Sequence, residues 1–401
     1  MRQLYLIAAV TMAGVSAVFA LLAELEDRYG LATSTLGWIA GSAFVAALVA
    51  QLWLSRYADR GYATRLLRAG VVASAVGLLW FAASTELWQF IAARSLLGAG
   101  VGMIIPPARR AIVISAGSNQ GEQLGVFYSA YLAGFVFGPP VGGLLTVLGD
   151  VRLPFLVFGL LTAASLFTIL RMELPEAEFD PDASDGVDRR VLRRLIADRR
   201  IVAALLVIVS FRYSIGVFEP LWATHLDDLG AGTILITLSL TGFALPMLLV
   251  ARHAGRMSDR FGPRWVSLLA ALATVPMMAT YGYSPTIWLI LAMAIPHGLM
   301  EAMLSPGSQA AIADASQEKD AASAQGLGEA AGSAAAAVGA FTAAPLFDWL
   351  GAGPAWLIAA ITMLVLLSLS WALDPPARPT KSVATKRTAL GPQPEQPSVD
   401  S

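Results

Sequence analysis

Residues 255–264 read Gly-Arg-Met-Ser-Asp-Arg-Phe-Gly-Pro-Arg, and residues 55–61 read Ser-Arg-Tyr-Ala-Asp-Arg-Gly. Each stretch follows a run of about twenty residues that is too hydrophobic for a soluble helix. The shared core of Arg, two other residues and Asp-Arg therefore recurs at an offset of 200 residues, in the same place in two apolar halves. A polar loop repeated in this way predicts a duplicated bundle of membrane helices. The repetition also marks the loop as a working part of the protein.

The composition supports an all-α polytopic membrane protein. The chain has 401 residues, of which 56% are hydrophobic and 14% charged, with a mean hydropathy of +0.65. Soluble domains carry about 25% charged residues. The apolar segments are of helix length and lack strand alternation, which argues against a β-barrel. About twelve such segments are predicted, at 4–24, 35–55, 66–84, 87–107, 124–147, 152–171, 201–222, 232–252, 265–283, 286–306, 326–347 and 352–373.

The distribution of basic residues predicts the orientation. With the N-terminus inside, all but four of the 27 Lys and Arg residues fall on the cytoplasmic side. Arg28 and Arg152 fall outside, and Arg94 and Arg212 lie within segments. The positive-inside rule then predicts that both termini are cytoplasmic. Compactness and short exterior loops favour a bacterial inner membrane. The net charge of −1 gives no pull toward nucleic acid, and none is expected as a partner.

Several classes of chemistry find no support in the sequence. The chain has no cysteine, which excludes disulfides and thiolate metal sites. Its three histidines show no clustered ligand spacing, so we expect no metal, no cofactor and no catalytic residues. A membrane-embedded enzyme is the alternative from another class, and it would need such a constellation. A phosphate-binding Gly-Lys-Ser/Thr loop is also missing from the sequence, which argues against an ATP-driven pump.

Four regions are predicted along the chain. Residues 1–172 and 201–373 form two six-helix bundles, and residues 173–200 form a charged cytoplasmic linker between them. Residues 374–401 are rich in Pro, Ser, Thr and Lys, and we expect a disordered cytoplasmic tail. The linker either contains a short amphipathic helix at about 187–198, lying on the membrane surface, or is a merely solvated connector.

The duplication extends to segments 4 and 10. Gly98 aligns with Gly298, and Pro106 with Pro306. In transporters built from such repeats, the substrate site lies near mid-membrane between the halves. Positions at which only one half is polar therefore become candidates for function. These positions are Arg94, His297 and Glu301.

The second loop resembles the signature loop of the major facilitator superfamily, which is Gly, three variable residues, Asp-Arg, a variable residue, then Gly and a basic residue. The first copy lacks the leading Gly and has its trailing Gly one position early, which predicts a different turn there. The resemblance implies two pseudo-symmetric bundles that transport by alternating access. The gating-loop residues of the two copies are Arg56, Asp59, Arg60, Gly255, Arg256, Asp259, Arg260, Gly262 and Arg264.

A mechanical role is predicted for the aspartates of the two loops. Asp59 ends segment 2 at the cytoplasmic face, where segment 11 begins near Gly326. A carboxylate beside a helix N-terminus is stabilised by unpaired N–H groups and the helix dipole. Asp59 would thus latch the two halves together, and Asp259 would do the same near Leu124. The resemblance implies that this contact favours the outward-facing state. A generic charged turn is the alternative.

Segment 5 carries Gly134, Gly138-Pro139 and Gly142-Gly143. This spacing resembles the antiporter signature of the same family. Small residues four apart allow close helix approach, and proline introduces a bend. We therefore expect a tightly packed, kinked helix at the seam between the halves, and the resemblance implies proton antiport. Ordinary small-residue packing is the alternative.

Arg94, followed by a glycine run in segment 4, resembles a third signature of the family. A buried arginine stays charged and needs a partner or a water-filled cavity. The carboxylates in reach by depth are Glu24, Glu26 and Asp27, of which Glu24 is the deepest and the others read as loop charges. Glu24 could alternate between pairing with Arg94 and carrying a proton.

Segment 10 places His297 and Glu301 four residues apart on one helix face. They could relay a proton, bind a cationic or polar substrate, or form a structural pair. In segment 7, Arg212 and Glu219 could face the cavity together, or Glu219 could lie at the outer interface. The candidates for lining a substrate cavity are Tyr131, Phe135, Arg212, Tyr213, Phe218 and Glu219.

A secondary transporter follows from these predictions. The antiporter signature and the chain length favour the twelve-helix drug:proton antiporter branch, which implies proton-coupled efflux of small hydrophobic drugs or metabolites. The expected partners are the substrate, protons and the lipid bilayer, with the protein as a monomer. A proton symporter or facilitator that imports a sugar or organic acid is the alternative.

Overall fold

The computed structural model describes residues 2–57, 62–116, 120–172, 174, 189–317 and 320–374. Within these ranges the chain forms fourteen helices. Their bounds are α1 Arg2–Ala20, α2 Leu22–Tyr29, α3 Thr33–Tyr57, α4 Ala63–Ala83, α5 Leu87–Ala116, α6 Gln120–Leu148, α7 Arg152–Leu170, α8 Arg189–Ala197, α9 Arg199–Asp228, α10 Thr233–Phe261, α11 Pro263–Tyr281, α12 Ile287–Ala315, α13 Ala321–Leu350 and α14 Ala352–Leu373.

Twelve of these helices correspond to the predicted segments. In the described part of the chain, eleven helices are long and apolar enough to cross a membrane. The other long helix, α11, has 19 residues and packs against α12 and α14. Several helices approach 30 residues, or roughly 45 Å, so they extend beyond a hydrocarbon core of about 30 Å. The chain is a multi-pass integral membrane protein.

The helices form two bundles, α1–α7 and α9–α14. Short turns make successive long helices antiparallel, so α1 begins at the face of the membrane where α14 ends. We call this the terminal face and the other the opposite face. The bundles meet where α3 packs on α13, α6 on α10, and α1 and α2 on α9. These helix pairs form the interface between the two bundles.

The first predicted segment is two helices, which corrects the expectation of a single span over 4–24. The amide of Leu21 is shared between the carbonyls of Ala17 and Val18, and Leu21 leaves the helical conformation with φ −109° and ψ 14°. The short helix α2 follows and ends at Gly30, whose φ of 61° suits a residue without a side chain. Glu24 therefore lies on α2 beyond the break.

The stretch 255–264 is mainly helical, which corrects its prediction as a loop. Helix α10 continues to Phe261, and the turn is reduced to Gly262, whose φ of 90° places it in the region that favours glycine. Pro263 then opens α11, where its missing N–H is tolerated. Arg264 donates hydrogen bonds to the carbonyl of Ala203 at 3.1 Å and to that of Ser370 at 2.9 Å, joining three helix ends.

The predicted latches remain predictions. Asp59 and Arg60 lie outside the described residues, as do the side chains of Arg56 and Asp259. Within the second copy, Arg256 and Arg260 are exposed to solvent. The predicted tail beyond residue 374 also lies outside the described ranges.

The amphipathic helix predicted in the linker is confirmed as α8. Leu195 is buried in a cluster with Ile201 and Ile208 of the first third of α9. Arg194 donates to Asp320 at the start of α13, at 2.6 Å. Helix α8 is thus fastened to the second bundle at the terminal face. Its placement on the lipid surface stays a prediction.

Candidate functional site

A buried ion pair connects the two bundles within their membrane-spanning helices. Arg94 of α5 donates through Nη2 to Oε1 of Glu219 on α9, and through Nη1 to the carbonyl of Val15 on α1 at 3.3 Å. The side chains of Arg94 and Glu219 are only 2% and 7% exposed. The pair therefore neutralises, across the seam, a charge that neither bundle neutralises by itself.

Two expectations about this pair are wrong. The predicted partner Glu24 is carried past the break after α1 and instead accepts a hydrogen bond from Thr233, at 2.6 Å. Glu219 was expected either to share the cavity with Arg212 or to lie at the outer interface. It is buried one helix face away, because α9 presents residue 219 to α5 and residue 212 to α13.

The opposite face is closed by hydrogen bonds between the bundles. Glu26 of α2 accepts from Thr33 at 2.5 Å and from Thr224 of α9 at 3.2 Å. Glu24 accepts from Thr233 at the start of α10. Burial raises the pKa of the Glu26 carboxyl above its ordinary value, and this effect outweighs that of the two hydroxyl donors. Both carboxylates thus fasten the first bundle to the second on this side.

The glycines of α6 serve mainly packing within the first bundle. A Cβ atom at Gly134 would overlap the carbonyl oxygen of Ala9 on α1, and Gly138 meets the same helix one turn further on. Only Gly143 faces the other bundle, where it contacts Thr237 of α10. The seam expected at all these glycines is therefore corrected to a single position.

Helix α6 continues unbroken from Gln120 to Leu148 through Pro139 and Pro140. Gly142 packs on Ala17 of α1. The carbonyl of Val136 accepts from Thr241 of α10 at 2.9 Å, which adds a polar contact across the seam. The motif thus produces a close helix pair, α1 with α6, that contacts α10 on its other side.

A second polar site lies inside the second bundle. Nε2 of His297 is 3.6 Å from Oε1 of Glu301, and Nδ1 is 2.9 Å from the hydroxyl of Tyr281. His297 is fully buried and Glu301 is 4% exposed. Among the described residues, His297 is the one basic side chain within ion-pair distance of Glu301. The predicted shared face is confirmed, and the pair forms a carboxyl–imidazole site without a permanent cation.

Aromatic rings enclose this site. Phe218 and Phe243 each contact His297 edge to face, at 5.3 Å between ring centroids. Phe218 is only 5% exposed, and Tyr213 only 7%. Both are buried in a cluster that joins residues of α1 and α2 to the core of the second bundle, so neither lines an open cavity in this conformation, which corrects their prediction as cavity-lining residues. The ring of Phe218 packs against rings of α11, α12 and α14.

A third polar site was missed by the sequence reasoning. Arg212 of α9 donates to Glu329 of α13 at 3.0 Å, and Gln309 of α12 donates to the other carboxylate oxygen at 3.2 Å. The side chains of Arg212 and Glu329 are 32% and 30% exposed. Glu329 lies inside the predicted segment 326–347, and a carboxylate within a membrane segment is itself a signal of function.

Aromatic residues of the first bundle lie beside this third site. Tyr128 and Tyr131 of α6 stack with 6.0 Å between centroids and 13° between planes. The hydroxyl of Tyr128 is 3.5 Å from Ser305 of α12, one helical turn before Gln309. Phe135 contacts Phe19 of its own bundle, at 6.4 Å. Tyr128 therefore contacts α12 across the space between the bundles, one helical turn from the glutamine that binds Glu329, and Tyr131 stacks beside it.

Comparison with known proteins assigns this architecture to a family. The model of the Major Facilitator Superfamily matches residues 4–227 and again residues 201–397. Multidrug resistance protein MdtG of Serratia proteamaculans (strain 568) is 26% identical over 273 residues, which are 66% of this chain and 65% of that protein. MdtG of Salmonella arizonae is 24% identical over 283 residues, 68% of this chain and 69% of that protein. The chain spans about two thirds of the length of these curated relatives.

Solved structures share the whole fold at low sequence identity. A bacterial homolog of the human lysosomal transporter Spinster, inward-facing and unoccupied, superposes with a TM-score of 0.79 at 13% identity, covering 92% of this chain and 95% of that one. The nucleoside transporter NupG gives 0.76 at 14% identity, covering 94% and 99%. A D-xylose-proton symporter gives 0.75 at 16%, covering 93% and 97%.

Proposed function

Since the chain belongs to the Major Facilitator Superfamily, we propose that it exports small hydrophobic compounds across a bacterial inner membrane in exchange for protons. Transport of small molecules follows from the family itself. Export is supported by the multidrug resistance proteins among its relatives. Exchange for protons is supported by the chemistry of the buried sites and by the antiporter-like spacing in α6.

The observation that carries proton exchange is the carboxyl–imidazole site of Glu301 and His297. Two titratable groups 3.6 Å apart are buried together without a permanent cation among the described residues. In such a place an unprotonated carboxylate beside a neutral imidazole is costly, so the site tends to hold a proton. Water entering the site would reverse that preference. Protonation therefore becomes linked to the conformation of the second bundle.

The contacts at the opposite face bear on which conformation of the transport cycle the structure represents. In this conformation Glu24 and Glu26 hold the bundles together there. We place the terminal face in the cytoplasm, because the basic residues collect on that side. The closed opposite face together with this orientation supports an inward-facing state, which takes up substrate from the cytoplasm. Opening outward separates the Arg94–Glu219 pair and exposes it to protons.

The latch of Asp59 belongs to the other conformation in this scheme. When the terminal ends of the bundles approach, its carboxylate meets the first turn of α13, where unpaired N–H groups stabilise a negative charge. The opposite-face hydrogen bonds and the latch would thus alternate. The close α1–α6 pair moves as one body during this change.

The test uses purified protein in proteoliposomes with a trapped pH-sensitive dye. An imposed proton gradient and addition of ethidium or tetraphenylphosphonium should produce substrate-dependent proton movement. Glu301→Gln should abolish that movement, whereas Asp27→Asn, an exposed change at the opposite face, should preserve it. Direct flux without proton movement would refute antiport. Accumulation of substrate along the proton gradient would indicate a symporter instead.

A further inference from the structure

We propose that the Arg212–Glu329 pair and the stacked tyrosines Tyr128 and Tyr131 form a subsite for aromatic zwitterions, that is, planar compounds with one cationic and one anionic group. This inference rests on the proposed transport function and names a class of compound that this subsite favours among its substrates. The subsite is built by four helices: α9, α12 and α13 of the second bundle, and α6 of the first. It lies where the bundles face each other.

Accessibility separates this pair from the other internal charges. The pair of Arg94 and Glu219 is almost fully buried, whereas each side chain of the Arg212–Glu329 pair keeps about a third of its surface exposed. Its two members also belong to the same bundle, so rocking of the bundles does not pull them apart. A partly exposed ion pair is less costly to break than a buried one, because water can take the place of the lost partner. A dissolved ligand can therefore enter this pair.

The contacts hold the carboxylate ready for a ligand. The side-chain amide of Gln309 donates to one oxygen of Glu329 at 3.2 Å, and Gln325 donates to the backbone carbonyl of Gln309 at 2.9 Å. Glu329 therefore stays in position when Arg212 turns to another partner. The guanidinium of Arg212 presents several donors in a plane, which suits a carboxylate. One anchor for each sign of charge thus lies in one place.

The charge balance selects the substrate class. A simple cation placed on Glu329 is repelled by the adjacent Arg212, and a simple anion placed on Arg212 is repelled by Glu329. A zwitterion replaces the one ion pair with two and adds no net charge to a site of lowered dielectric. Its aromatic body then stacks on Tyr128 and Tyr131, whose parallel rings offer a flat apolar surface at 6.0 Å centroid spacing.

Three dyes of one shape provide the test. Rhodamine 110 is a zwitterion near neutral pH, rhodamine 123 is its cationic methyl ester, and fluorescein is an anion with the same ring system. Fluorescence anisotropy of each dye is titrated with purified full-length protein, without a pH gradient. We expect rhodamine 110 to bind at least about tenfold more tightly than the other two dyes, because each of them lacks one of the two charge-assisted contacts.

Variants locate the preference. Glu329→Gln, which preserves the shape of the side chain, should weaken the binding of rhodamine 110 by about tenfold and strengthen the binding of fluorescein. The charge swap Arg212→Glu with Glu329→Arg should restore the preference for rhodamine 110, which shows that loss in the single variant is not misfolding. As a control, Arg28→Gln breaks the exposed pair with Asp150 at the opposite face and should leave the affinity for all three dyes unchanged.

Two results would overturn the inference: equal affinity for the three dyes in the parent protein, or an equal effect of Glu329→Gln on all three. These outcomes are separate from failure of the proposed function. Binding of rhodamine 110 without any proton movement would refute antiport alone. Proton-coupled export of ethidium without a preference for rhodamine 110 would refute the zwitterion subsite alone.

Discussion

Replacement of Glu219 by glutamine tests the role of the ion pair that joins the bundles. The change leaves the guanidinium of Arg94, which is 2% exposed, beside a neutral amide. Removing one partner of a buried pair costs about 3–5 kcal/mol, because the remaining charge is uncompensated. Water reaches Arg94 once the opposite face opens, so this cost falls on the closed state. A shift of roughly 3 kcal/mol corresponds to a change on the order of 100-fold in the equilibrium.

The assay measures the opening of the opposite face directly. The chain has no cysteine, so spin labels can be attached at Glu86→Cys in the first bundle and Tyr283→Cys in the second, both exposed at that face. Pulsed electron–electron double resonance of the protein in nanodiscs measures the distance between the two spin labels. We expect the parent protein to populate the short distance and Glu219→Gln to populate a longer one.

The control removes both charges together. Arg94→Met with Glu219→Leu leaves neither charge of this pair, and replacement of a buried pair by apolar groups is often neutral for stability. The double variant should therefore return to the short distance. If Glu219→Gln retained the parent distance distribution, the ion pair would not stabilise the closed face, and the reasoning would be refuted.

Three further changes probe packing, protonation and helix-end contacts. Gly134→Ala forces a Cβ against α1 and should cost about 1–3 kcal/mol in thermal unfolding, whereas Gly125→Ala in the same helix meets open space and should be neutral or slightly stabilising. Burial raises the pKa of Glu26, so its protonation favours the closed opposite face. This contribution is complete below the ordinary pKa and disappears as pH rises through the raised one. The spin labels should therefore show more of the closed state near pH 5 than near pH 8, with no such change in Glu26→Gln. Arg264→Met removes hydrogen bonds to three carbonyls and should lower the unfolding temperature, whereas Arg256→Met, at an exposed position, should not.

The sequence predicts the helices well because membrane insertion imposes a length and a composition on each one. The linker helix is also predicted from the sequence, because its basic and apolar residues recur at helical spacing within nine residues. The sequence predicts a polar connection between segments 8 and 9, but not the helical conformation of the seven residues before Gly262. Their charges resemble a loop, whereas in the structure they continue α10 to Phe261.

The partners of the internal charges could not be predicted from one half at a time. Depth along α1 and α5 made Glu24 the natural partner of Arg94, because the break at Leu21 has no sequence signal of its own. Glu219 belongs to the other bundle, and its pairing with Arg94 depends on how the two bundles pack against each other. Glu329 was overlooked in a segment rich in alanine and glycine, although its charge marked it.

The ion pair between the bundles also constrains how the protein is made. Glu219 follows Arg94 by 125 residues, so at about 5–20 residues per second the ribosome needs roughly 6 to 25 s to deliver the counter-charge. During that interval α5 carries an arginine whose insertion at mid-membrane costs about 2.5–3.5 kcal/mol, with the carbonyl of Val15 as its available contact. Until α9 is synthesised, the first bundle therefore carries a buried positive charge without the carboxylate that neutralises it in the finished protein.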